Sequence, residues 1–207
     1  RAQGKHGISA FVVDRGTPGF RPGKKENKLG MRASDTSEMI FDDCRVGAEA
    51  LLGSEGEGFV DALQVLDGGR ISIAALGLGM AQGAYEAARD YAKERRQFGR
   101  ARSEFQGIQF QIAQMATEIE AARLMVYNAA RMKDAGVNFV KEAAMTKLFA
   151  SQVAERVASQ CVEVFGGNGF VRDYPAEKFY RDAKVGAIYE GTSNMQLATI
   201  AKQLLGH

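Results

Sequence analysis

Apolar residues in the second half of the chain recur at steps of four and three. The stripe Ile108, Ile112, Met115, Ile119, Ala122, Val126 predicts a helix lying on a bundle seam. Ser103 is its candidate N-cap, and Ala135-Gly136 its end. Asn138 is placed to cap a following helix whose face includes Ala154, Ala158, Cys161 and Phe165. The run Gly166-Gly167-Asn168-Gly169 stops that helix. Upstream, no proline occurs between Pro22 and Pro175, so long helices are permitted. The first is predicted over residues 58–97, about 60 Å at 1.5 Å per residue. That length suits a bundle. A short helix is expected over 176–183, after Pro175. A last one begins at Thr192 or Ser193, with Met195, Leu197, Ile200 and Leu204 as its apolar positions. Three long helices and two short ones result, with no internal repeat.

Residues 1–52 have a different pattern. Ile8 to Val13 alternate poorly but are rich in β-branched and aromatic residues, and read as a strand closed by the turn signal Thr17-Pro18-Gly19. Pro22-Gly23 marks a second turn. Glu38 to Phe41 is another strand. Two or three strands do not make a stable sheet alone, so this part reads as the tail of a β-domain. The fold class is therefore mainly α: an up-and-down helical bundle, residues 53–207, preceded by the last strands of a β-domain, residues 1–52.

Composition narrows the chemistry. Apolar residues are 45% of the 207, ample for a core. Lys and Arg number 27 against 25 Asp and Glu. This near balance gives no basic stripe for nucleic acid. No apolar run has the length of a membrane span. Cys44 and Cys161 make neither a disulfide framework nor a metal site, and fit a reducing compartment. The histidines, His6 and His207, lie near the ends, which almost removes histidine catalysis and His-rich metal sites. The chain opens at Arg1 without an initiator methionine, and is expected to start partway through a longer protein.

Four stretches could carry chemistry. Glu190 sits on a short turn just ahead of a helix, next to Gly191, which lets the backbone pass close to another group. On these residues alone, an acidic residue complementing the helix dipole is the favoured explanation. The run 166–169 could cradle phosphate through backbone N–H groups or simply cap a helix. Arg95, Arg96, Gln97, Phe98 and Gly99 could clamp a phosphate through guanidinium or complement the end of the first helix. Gly68 and Gly69, between Asp67 and Arg70, cost about 1 kcal/mol each inside a helix relative to Ala. Something must approach closely there, a ligand or another helix. Gly77, Gly79 and Gly83 miss dinucleotide-binding spacing and fit close helix packing.

Taken in order, these motifs resemble the acyl-CoA dehydrogenase family. The resemblance is carried by Lys28 to Thr36, Glu55-Gly56-Glu57-Gly58-Phe59, Arg95 to Gly99, Phe105-Gln106, Phe165 to Phe170, Tyr180-Arg181-Asp182-Ala183-Lys184 and Ile188 to Gln196. It covers essentially the whole chain and implies the second half of such an enzyme. Asp67 to Ile71, Cys161-Val162-Glu163 and Asn194 to Leu197 are most similar to the short/branched-chain, 2-methylbutyryl-CoA type. Glu163 stands where most members carry Gln.

The resemblance implies FAD-dependent α,β-dehydrogenation of an acyl-CoA thioester, with Glu190 removing the α-proton. A carboxylate kept dry is a stronger base. It implies substrate contacts at Phe59, Asp67, Gly68, Gly69, Arg70 and Gly191. It implies FAD contacts at Arg95, Gln97, Phe98 and Gln106, at Glu163, Val164, Phe165, Gly166 and Gly167, and at Thr192, Ser193 and Asn194. The first two groups would reach the FAD of a neighbouring subunit, hence a homotetramer built as a dimer of dimers. Electrons would pass to an electron-transfer flavoprotein. The location would be cytoplasmic in a bacterium and the mitochondrial matrix in a eukaryote. Rival readings are a straight short-chain, butyryl-type enzyme and a helical bundle that serves only assembly.

Overall fold

The computed structural model describes residues 6–206; Arg1 and His207 lie outside the described residues. The chain packs as two units, residues 1–66 and 67–207.

The first unit is built of short antiparallel pairs. β1 (Ala10–Phe11) pairs with β4 (Leu51–Leu52), and β2 (Phe20–Lys25) with β3 (Ser37–Phe41). The strand expected over 8–13 shrinks to two residues. Its partner is bounded by a helical turn at Ala48–Ala50 and by Gly53 at φ 73°, so the ladder has nowhere to extend. Pro22 and Gly23 correct a second expectation, for they lie inside β2 and not in a turn. Pro22 pairs with Met39, and the register slips between Pro22 and Lys25. A two-stranded edge with an irregular ladder tolerates a residue that has no N–H. Phe20 and Phe41 stack across the pair at 4.9 Å.

Helix α1 (Gly58–Glu94) begins in this unit. A methyl group on Gly58 would lie 2.4 Å from the Ala10 nitrogen, so only glycine lets the helix start against β1.

The second unit is a bundle. It holds the remainder of α1, α2 (Gln106–Asp134), α3 (Val140–Phe165), α4 (Ala176–Ala183) and α5 (Ser193–Leu205). Short connections make successive long helices antiparallel neighbours. The expected seam of α2 is buried at Met115, Ile119, Ala122 and Val126, with Ile108 and Ile112 packed at its edge. Helix α1 meets the core through Ala74, Ala81, Ala84, Ala88 and Ala92, all essentially buried. These small side chains let helices approach closely. A methyl on Gly77 would touch the Ala150 carbonyl at 3.4 Å, and one on Gly83 the Phe179 ring at 3.0 Å.

Three boundaries differ from expectation. Helix α1 ends at Glu94, and the residues read as its last turn form a hairpin of β5 (Arg96–Gln97) and β6 (Arg100–Ala101). Phe98 at φ 52° and Gly99 at φ 81° make the two-residue turn. Both central residues are left-handed, as a hairpin with right-handed strand twist requires. Ser103 does not cap α2. It lies in a helical turn at Arg102–Glu104, where the Glu104 carboxylate accepts from the Ala101 N–H at 2.9 Å. Finally, α5 turns Met195, Leu197 and Leu204 largely outward and buries Gln196 instead. No described helix is long and apolar enough to cross a membrane.

Candidate active site

The helix-starting chemistry of α5 sets the geometry. Thr192 is its N-cap, and its hydroxyl accepts from the Met195 N–H at 3.4 Å. The two residues before the cap are both left-handed, Glu190 at φ 53° and Gly191 at φ 85°. Glycine takes this conformation freely. Glutamate does so at a cost of about 1–3 kcal/mol, which persists only where surroundings over-determine it.

Those surroundings are two buried polar side chains. Lys147, on α3, is fully buried and donates from Nζ to the Gly191 carbonyl at 2.6 Å. Gln196 donates from Nε2 to the same carbonyl at 2.9 Å and to the Glu190 carbonyl at 3.2 Å. The turn is clamped from the core on one side and from its own helix on the other.

The clamp aims the half-buried Glu190 side chain at α1. A methyl on Gly69 would fall 2.9 Å from Glu190 Oε2 and 3.5 Å from its Cδ. Gly68 faces Lys133 of α2 in the same manner, at 2.8 Å from Nζ. The adjacent glycines therefore admit two charged side chains, one each.

Four polar atoms on residues adjoining Gly69 and the turn are buried and make no hydrogen bond among the described residues: Arg70 Nε and Nη1, the Tyr189 hydroxyl and Gln196 Oε1. Arg70 Nη1 does lie 3.0 Å from Asp67 Oδ1, an ion pair without hydrogen-bond alignment. A buried polar group left without a hydrogen bond costs about 1–3 kcal/mol, so these atoms on residues 70, 189 and 196 set this end of the bundle apart from the apolar core. The electrostatics agree. Burial lowers the Lys147 pKa; Glu190 opposes that shift and Arg70 adds to it. Burial, then the Glu190 charge, pushes the Tyr189 phenol up.

A second group forms around the hairpin. Arg95, Gln97, Phe98 and Gln106 are exposed. The Arg95 carbonyl accepts from the Arg102 N–H at 2.8 Å, and the Arg102 guanidinium lies beside Gly166. Arg100 stacks over the Phe105 ring at 3.9 Å. Glu163 is exposed, with Gln111 donating to it at 3.4 Å. It lines a groove of about 520 Å3 with Val162, Phe170, Tyr180 and Arg181. Val164 and Phe165 are buried, Phe165 stacked on Tyr91 at 4.1 Å, so their side chains belong to the core and only backbone could meet a ligand. Gly69 and Glu94 lie about 38 Å apart along α1 at 1.5 Å per residue. The two groups therefore stand at opposite ends of the bundle. Thr192, Ser193 and Asn194 belong to the first group by position. Phe59 lies on the first turn of α1, within residues 1–66.

Lys147, Tyr189 and Gln196 received no site role from the sequence, although the last two fall within the motif at residues 188–196. A signal existed for Lys147: it continues the buried row Ala143, Ala150, Ala154, a lone charge on an apolar face. No His, Cys, Asp and Glu cluster among the described residues could hold a metal ion.

Residues 56–205 match the model of the acyl-CoA dehydrogenase C-terminal domain. The chain is 52% identical over 201 residues to the mitochondrial short/branched chain specific acyl-CoA dehydrogenase of Rattus norvegicus, covering 97% of this chain and 46% of that protein. It superposes with a TM-score of 0.97 on butyryl-CoA dehydrogenase from Megasphaera elsdenii, at 48% identity over 99% of this chain and 54% of that one. It superposes equally, TM-score 0.97 and 53% identity, on a chain in the structure of the electron transferring flavoprotein of Acidaminococcus fermentans, covering 99% of this chain and 54% of that chain. The bundle, its carboxylate turn and these likenesses define one class of protein. The chain belongs to the acyl-CoA dehydrogenase family. It spans about half the length of the curated relatives it matches.

Proposed function

We propose that the protein is an FAD-dependent acyl-CoA dehydrogenase acting on short or branched-chain acyl-CoA thioesters, with Glu190 as the base that removes the α-proton. The observation that carries this reading is the seat of Glu190. A strained, clamped turn presses its carboxylate against a glycine, beside residues whose buried polar atoms include some without a hydrogen bond. A residue that served only as a dipole-complementing acid would need none of these.

The chain's own groups supply what proton abstraction needs. Glu190 Oε2 is fixed on a rigid turn, so the base is held in place before substrate arrives. A thioester α-proton is weakly acidic, and its removal places negative charge on the thioester oxygen. Hydrogen-bond donors aimed at that oxygen lower the barrier. The Glu190 backbone N–H and the guanidinium of Arg70, ion-paired to Asp67 and next in sequence to Gly69, are the candidate donors on this side.

The residues present also fit FAD. Arg95, Arg96 and Arg100 stand exposed at the hairpin, and a methyl on Gly167 would meet nothing, so a diphosphate could approach both guanidinium and backbone. When bound, FAD supplies the acceptor for the β-hydrogen, taken as hydride. Gln97, Phe98, Gln106, Glu163 and Gly166 would line the hairpin end of that site. Thr192, Ser193 and Asn194 would contact a different FAD near Glu190. The separation of these two groups along α1 supports cofactor sites shared between subunits, hence a homotetramer, with Phe59, Asp67 to Arg70 and Gly191 at the acyl-CoA. An electron-transfer flavoprotein would then reoxidise the enzyme. The mitochondrial matrix or a bacterial cytoplasm is the matching location.

Glu190→Gln tests the assignment. The variant is expected to bind FAD and acyl-CoA yet lose about 10²–10⁴-fold in the rate at which substrate bleaches the flavin. Bleaching at the parent rate would rule Glu190 out as the base. A straight-chain, butyryl-type preference is the second reading, favoured by the likeness to the Megasphaera elsdenii enzyme. A panel of straight and branched acyl-CoA substrates separates the two. A colourless protein that still assembles would point to a bundle serving assembly alone.

A further inference from the structure

We infer that Lys147 is a positioning residue for Glu190: its ammonium reaches out of the bundle core to the Gly191 carbonyl and holds the left-handed turn that aims the carboxylate at Gly69. The inference rests on the reading of Glu190 as the base. Lys147 is the largest fully buried side chain among the described residues. The hydrogen-bond acceptor its Nζ meets among the described residues is Gly191 O, at 2.6 Å and 44 positions away in sequence. An ammonium has three donors and no acceptor, so this is a poorly solvated charge.

Stability does not explain such a residue. Taking a charge out of water is costly, and well-packed apolar replacements of buried charges are often neutral or stabilising. The Lys147 pKa is lowered chiefly by burial, which is the same cost seen from its titration. What the ammonium does have is a target. Glu190 would relax from its left-handed conformation to an ordinary one unless the next peptide were held. Gln196 holds it from the same helix that follows the turn, and so moves with it. Lys147 holds it from α3, an independent element, and so fixes the turn relative to the bundle. The charged groups facing Lys147 are Glu190 from the turn and Arg70 from α1; Lys133 of α2 stands beyond Gly68.

Two variants of the full enzyme test this. Lys147→Met keeps the volume and removes the donor; Lys147→Gln keeps an N–H donor without the charge. For Lys147→Met we expect flavin bleaching at saturating acyl-CoA to fall about 100-fold, acyl-CoA affinity to be unchanged, and a crystal structure in which φ at residue 190 is negative. For Lys147→Gln we expect positive φ at 190 and most of the rate. A Lys147→Met enzyme with positive φ and the parent rate overturns the inference. If Lys147→Met does not fold, Lys147→Gln decides: a retained turn and rate support the inference, and a lost turn despite the donor overturns it. Normal bleaching by Glu190→Gln would sink the base assignment alone, because φ at residue 190 still judges what Lys147 does.

Discussion

Replacing Gly69 by Ala separates stability from activity in opposite directions. Gly69 lies inside α1, and its φ is an ordinary helical one. Ala is better than Gly in a helix interior by about 1 kcal/mol. In a protein of this size that alone raises Tm by roughly 2–4 °C. The new methyl would sit 2.9 Å from Glu190 Oε2, closer than carbon and oxygen can stay. The neighbour is the far end of a flexible side chain, so the carboxylate yields and the helix does not. The cost of the clash is therefore small, and the gain in helix stability survives. Activity does not survive. Displacing a reacting group by as much as 1 Å costs about 100-fold in rate. Calorimetry of the parent and the variant reads the first effect, and stopped-flow absorbance of the flavin with acyl-CoA reads the second. A variant with unchanged bleaching would show that the contact with Gly69 does not set the base. A variant with a lower Tm would show that Gly69 is needed for packing and not for the carboxylate.

Two further outcomes follow from buried groups. Burial pushes the Cys161 thiol up to about 12 and leaves it inaccessible, whereas Cys44 is partly exposed; iodoacetamide at neutral pH should label Cys44 alone in the native protein and both after denaturation, as mass spectrometry would show. Lys147 has a folded-state pKa below its ordinary 10.5, so the folded chain pays its desolvation cost at neutral pH and sheds it as pH rises toward 10.5. The urea midpoint of the parent should therefore gain on that of Lys147→Met as pH rises from neutral toward about 10.5; a difference independent of pH would mean that Lys147 is not desolvated.

The bundle was legible because burial and helical period coincide: the α2 stripe is the α2 core, and the glycine run after Phe165 ends α3. The hairpin at residues 96–101 was not, because an exposed phenylalanine gives no sign of adopting the left-handed conformation that turns the chain there. Pro22 misled in the opposite sense, since a proline normally breaks a strand and here an irregular edge absorbs it. Of the candidate site, Glu190 and the glycines near it could be singled out from local chemistry together with a family likeness, and the structure brings Glu190 against Gly69. Gln196 could not, because it lies between Met195 and Leu197 and looks like the solvated face of α5, which is in fact the apolar face. The Gln196 amide hydrogen-bonds back to the turn that precedes it, a contact that helical periodicity does not encode.

The clamp on Gly191 has a consequence for how the molecule comes together. The grip joins two distant stretches of chain, Lys147 on α3 and a peptide 44 positions later. The acid is thus present as soon as residue 190 is synthesised, but it is aimed only when α1, α3 and the start of α5 have docked. The direction of that side chain is therefore a property of the docked bundle, and the residues of the turn would not hold it by themselves.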